Sequence, residues 1–128
     1  MAYYNSKIVN YTFEDSITKV TDELKKEGFG ILTEIDVQET LKKKLDVDFR
    51  KYKILGACNP PNAYKALQAE ENIGVLLPCN IVVQEKVDGK IQVSVVNPME
   101  SMQAVGNENL EEVAFTISSK LQKILENL

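Results

Sequence analysis

The strongest constraint on the fold is the stretch from Asn80 to Asn97, two runs of alternating apolar and polar residues joined around Asp88-Gly89. Alternation at period two marks strands with one buried face, and Asp-Gly between such runs marks a hairpin. A two-residue turn at Asp88-Gly89 would pair Gln84 with Val93 and Lys86 with Ile91, mixing polar and apolar groups on each face. A three-residue loop, Val87-Asp88-Gly89, pairs Val83 with Val93 and Ile81 with Val95 and places Gln84, Lys86, Gln92 and Ser94 together on the opposite face. A slip of one residue would turn every side chain over, so the sorted register is the expected one, with Gly89 in the left-handed region. One face of this sheet is then core and the other wet, as antiparallel sheets allow.

The remaining elements are set by local signals. Tyr3 to Val9 reads as a first strand. Thr12, three residues before Asp15, reads as the cap of a helix that runs to about Glu27 and stops at Gly28. Ile17, Val20 and Leu24 form its apolar stripe. Phe29 to Ile35 is a second strand, and Asp36 caps a short helix carrying Val37, Leu41 and Leu45 on one face. Tyr52 to Cys58 is apolar enough for an interior strand. It runs into Asn59-Pro60-Pro61, a cap followed by proline in a first helical turn. That helix, to about Glu70, presents Ala63, Tyr64 and Leu67. Ile73 to Leu77 is an apolar connection, and Pro98 to Gly106 reads as a loop with two methionines. From about Asn109 a long helix carries Leu110, Val113, Ile117, Leu121, Ile124 and Leu128 as one stripe, which core packing explains. The expected fold is α+β: an antiparallel sheet of about five strands with helices packed on it, in a single domain over residues 1–128.

Composition narrows the function by exclusion. With 19 acidic and 15 basic side chains the net charge is −4, and Lys42-Lys43-Lys44 is the one basic run. Three lysines make a solvated helix face and no footprint for a polyanion, so neither nucleic acid nor an anionic membrane is an expected partner. The first residues lack the pattern of a signal peptide, and no apolar stretch approaches the ~20 residues that span a bilayer. Two cysteines in 128 residues are no secreted disulfide framework, so free thiols in the cytoplasm are expected.

Histidine is absent, which removes Ser-His-Asp and Cys-His catalysis and any zinc site that needs imidazole. No phosphate-binding glycine loop or EF-hand loop is present either, and which cofactor, if any, the chain uses is unknown from its residues. The candidates left are two similar junctions at strand edges, Gly56-Ala57-Cys58-Asn59-Pro60-Pro61 and Leu76-Leu77-Pro78-Cys79-Asn80. Cys58 stands just before a helix N-terminus, where free N–H groups and the helix dipole favour thiolate. Two readings stand: a nucleophile, redox sensor or soft-metal ligand, and, the commoner role of a free cysteine, a small buried hydrophobe. Spacing alone makes no metal site of Cys58 and Cys79. The two are expected near one another but not bonded, since neighbouring strand ends do not guarantee disulfide geometry. Asn59, Asn80 and Asn97 are candidate site residues whose plain reading is capping and turn formation beside proline. Glu85 faces the apolar side in the chosen register, so it either reaches water at the open end of the sheet or is a buried carboxylate with a raised pKa.

The two cysteine junctions, with Ala63-Tyr64, Leu67 and Gly74-Val75 between them, resemble the family catalogued as "domain of unknown function 302". So do Gly28-Phe29-Gly30, Glu34-Ile35-Asp36, Thr40-Leu41-Lys42, Asp48-Phe49 and Asn97-Pro98. Glu70-Glu71-Asn72 departs from the proline-containing turn expected there, which touches a loop only. The resemblance implies a small α+β protein that forms a homodimer, with no established reaction and no catalytic assignment to carry over. Two functions from different classes remain: a non-enzymatic module that binds a small-molecule ligand or a partner at the Cys-Asn junctions, and a thiol-based redox, metal-responsive or enzymatic protein using Cys58 and Cys79.

Overall fold

The structure, a computed structural model, describes residues 2–128. Five strands form one sheet: β1 (Tyr4–Val9), β2 (Gly30–Asp36), β3 (Tyr52–Cys58), β4 (Cys79–Glu85) and β5 (Ile91–Val96). Their order is β1-β5-β4-β3-β2 and every pairing is antiparallel. The helices are α1 (Phe13–Lys26), α2 (Val37–Leu45), α3 (Pro60–Ala69), a four-residue α4 (Pro98–Ser101) and the long α5 (Glu111–Glu126). This is an α+β fold. Among the described residues no helix is long and apolar enough to cross a membrane.

The hairpin adopts the sorted register. Ile81 pairs with Val95, Val83 with Val93 and Glu85 with Ile91, and Lys86 and Lys90 close the loop with an N–H···O bond of 2.8 Å. Gly89 has φ +85°, a value that a β-branched residue tolerates poorly. Ile81, Val83, Ile91, Val93 and Val95 are buried, while Val82, Gln84, Gln92 and Ser94 alternate with them on the other face. Onto the buried face pack Val20 and Leu24 of α1 and Val113, Ile117, Leu121 and Ile124 of α5, completing one core with Leu55 and Ala57 of β3. The opposite face carries no ionised side chain within β1, β3, β4 and β5 and exposes Tyr4 and Ile8.

Two helix faces differ from expectation. None of α2 is fully buried and Leu45 is 66% exposed, because α2 rests against β2 and β3 at the edge of the sheet with nothing beyond to cover it. In α3 the buried residues are Asn62 and Ala66, and Tyr64 points to solvent. The helix is rotated by its cap: Asn59 binds Asn62, which draws that edge inward. The segment expected as a loop from Pro98 to Gly106 is α4 followed by a 3-10 turn over Gln103–Val105, and it buries Met102. Asn97 caps α4 through Met99 N–H, and proline at the first helical position suits such a start.

Candidate functional site

β3 and β4 are neighbours, and Ala57 pairs with Cys79. The end of one strand therefore lies beside the start of the next, and the two cysteine junctions share one end of the sheet. They interlock there. A Cβ on Gly56 would meet Thr33 Oγ1 of β2 and lie 2.7 Å from the Pro78 ring of the second junction, so only glycine fits. Both cysteines are free; Cys58 is half-buried and Cys79 buried.

Beside them lies an apolar cleft of about 280 Å³. Its walls come from the end of β3 (Ala57, Cys58, Asn59), one side of α3 (Asn62, Ala63, Ala66, Leu67), the turn into β4 (Leu77, Pro78, Cys79), and Leu32, Met102, Val113 and Ile117. Three alanines among these leave the space open, since each side chain stops at Cβ where a larger one would fill it. The volume is just under the range usual for small-molecule sites. Met102 supplies an adaptable wall.

The polar groups of the cleft are arranged around Asn59, 7% exposed. Its Oδ1 accepts from Asn62 Nδ2 at 2.9 Å and from Asn62 N at 3.4 Å, and its Nδ2 donates to the Glu27 carbonyl at 3.1 Å. Asn59 thus caps α3 and ties it to the C-terminus of α1. Gly28, at φ +83°, passes so close that a Cβ would sit 3.2 Å from Asn59 Nδ2. Burial, with the charge of nearby Cys58 in second place, pushes the Cys79 thiol from 9.0 up to about 11. At neutral pH Cys79 is a protonated packing group, which makes it a poor nucleophile or resolving thiol. Among the described residues no group of three or more His, Cys, Asp or Glu side chains is placed to hold a metal ion.

Of the six residues singled out from the sequence, Cys58, Asn59 and Cys79 line the cleft. Asn80 is exposed on the opposite sheet face, in a hollow of about 390 Å³ with Tyr3, Tyr4 and Tyr52. Asn97 lies near the same end of the sheet, but its Oδ1 is engaged by Met99 N–H and Ser118 Oγ. Glu85 is at the far end of β4, half-exposed, with its N–H on the Lys51 carbonyl. It is the open-end carboxylate. Asn62 was missed, although Asn three residues after a capping Asn is a readable pattern. Leu32, Val113 and Ile117 join the cleft only through tertiary packing.

The family model for domain of unknown function DUF302 matches residues 5–128. The chain belongs to that family. It is also similar to a solved structure described as an uncharacterized conserved protein DUF302 from Bacillus stearothermophilus, with a TM-score of 0.92 and 28% identity over 98% of each chain. No curated protein matches the chain. The DUF302 assignment agrees with the resemblance carried by the junctions that form the cleft.

Proposed function

We propose that this chain is a cytoplasmic, one-domain, homodimeric binding module that holds a small molecule in the apolar cleft between β3, α3 and α5. The observation that carries this reading is the cleft itself: a concave, apolar-walled space with a few fixed polar groups, the general form of a small-molecule site. Its lining offers no acid–base pair, which favours binding over catalysis. Two free thiols support the cytoplasm.

The dimer is supported by the uncovered sheet face. A second copy of this chain is the partner that fits, because the strands offer no ionised side chain to this face and a two-fold contact sets it against its own image, with Arg50, stacked on Tyr52 and bonded to Gln84, at its edge. Native mass spectrometry of freshly purified protein tests both parts. The expected result is a dimer mass with a retained small molecule, reduced to a monomer mass by Val82→Lys at the centre of the open face. A wild-type monomer at high concentration rejects the dimer. A retained mass that survives denaturation and disappears in Cys58→Ser would favour the thiol reading instead, for which the observation is the half-exposed Cys58 on the cleft wall.

A further inference from the structure

We infer that the cleft selects an uncharged, largely apolar molecule carrying one hydrogen-bond donor, a hydroxyl or an N–H, which Asn62 Oδ1 accepts; this rests on the binding role proposed above. Asn59 can accept nothing more from such a ligand, since its Oδ1 takes two N–H groups of Asn62, and one N–H of its Nδ2 is given to Glu27. The contacts also fix which way both amides face. The Glu27 carbonyl accepts, so Asn59 Nδ2 must point to it; Asn59 Oδ1 then demands a donor, so Asn62 presents Nδ2 to it. That leaves Asn62 Oδ1, which accepts no hydrogen bond from any described residue, on a side chain only 9% exposed. Among the described residues no fully buried side-chain nitrogen or oxygen lacks a partner, so this oxygen keeps a small accessible surface.

The rest of the lining sets the remaining chemistry. It holds no Lys, Arg, Asp or Glu, so a charged ligand would lose its hydration without gaining a counterion. A space of about 280 Å³ equals the share of roughly nine liquid waters, which suits a molecule of about nine or ten non-hydrogen atoms. Asn62 and Val113 also border a polar hollow with Lys65, Asn109, Glu112 and Thr116, so the test must tell the two spaces apart.

Matched probes do so. Indole and 1-methylindole differ in the donor and little else, and phenol and anisole form a second pair. Titrations followed by NMR should show both members of each pair shifting the methyl signals of Ala66, Met102 and Ile117. The donor-bearing member should also shift the Asn62 side-chain amide and bind about tenfold more tightly, as expected when a buried acceptor is filled rather than left open. In Asn62→Leu the preference should vanish while apolar binding persists; the wild-type ratios give the same answer without a variant. Equal affinities within both pairs would overturn the donor assignment and leave the binding role standing. Shifts at Asn109 and Thr116 in place of Ala66 and Ile117 would also overturn it, by placing the ligand in the polar hollow. Absence of any shift at the cleft methyls would overturn both.

Discussion

The two Cys-Asn junctions look alike as letters and do opposite things. At the first, a strand ends: Cys58 stays half-exposed on the cleft wall, and Asn59 turns inward to cap α3 and bind α1. At the second, a strand begins: Cys79 is buried in the core, and Asn80 alternates out to the open sheet face. The difference lies in the element that each asparagine leads into. A helix start recruits the side chain as a cap, whereas a continuing strand sends it to one face by period two. A shared dipeptide therefore says little about role until its backbone is known.

The comparison should break most visibly where the junctions touch. Gly56→Val should cost about 3 kcal/mol in denaturant unfolding, because the new side chain meets Thr33 and the Pro78 ring. Adding Pro78→Ala should recover part of that loss, since the two positions are in contact. Unfolding that is unchanged by Gly56→Val would mean that the junctions are not interlocked.

The two thiols should separate with pH. The Cys79 thiol is raised in the folded state, from 9.0 to about 11, so the folded protein holds this proton more tightly than the unfolded chain. Its contribution is present in full below pH 9.0 and is lost as pH rises through about 11, a fall of about 2–3 kcal/mol. Other groups titrate there too, so the measurement is the difference between wild type and Cys79→Ala. Their stability gap should shift against the wild type by that amount between the two values. A gap independent of pH would remove the buried, protonated thiol.

The asparagines should differ by a smaller margin. Asn59→Ala should cost about 2 kcal/mol by loss of the cap and of a buried hydrogen bond. Asn80→Ala should stay within about 0.5 kcal/mol, as exposed positions do. Comparable losses at both would show that the junctions are equivalent after all.

Much of the fold was legible because its signals are local. The Asp88-Gly89 register, the Thr12 cap bonded by Asp15 N–H at 3.0 Å, and the Asn59-Pro60 helix start each depend on neighbours within a few residues. The cleft was legible only in part. Cys58, Asn59 and Cys79 announce themselves, but the space beside them exists because Ala57, Ala63 and Ala66 are small and face Val113 and Ile117 from another helix. No window of sequence contains that arrangement. Asn80 was a candidate through its Cys-Asn junction and Glu85 through its apolar register, and strand direction then carried each away from the cleft. The rotation of α3 was missed for a related reason: spacing names several apolar faces, and the Asn59–Asn62 bond decides among them.

The strand order carries a consequence for how the chain assembles. Of the five strands β1 is made before the others, yet its partner is β5, with Tyr4 opposite Val96. Lys7 of β1 also donates to the carbonyls of Glu126, the last residue of α5, and of Leu128, at 3.1 and 2.8 Å. During translation β1 therefore emerges without a template and waits while some ninety residues are added, whereas β4 and β5 meet at once across their short loop. Such a separation is entropically costly to close early and slows acquisition of native pairing. The expected sequence runs outward from the hairpin, with the N-terminal strand annealed onto β5 at the end. Pulse-labelled hydrogen exchange during refolding should find the β1 amides protected after those of β4 and β5, and simultaneous protection would show that the sheet forms in one step.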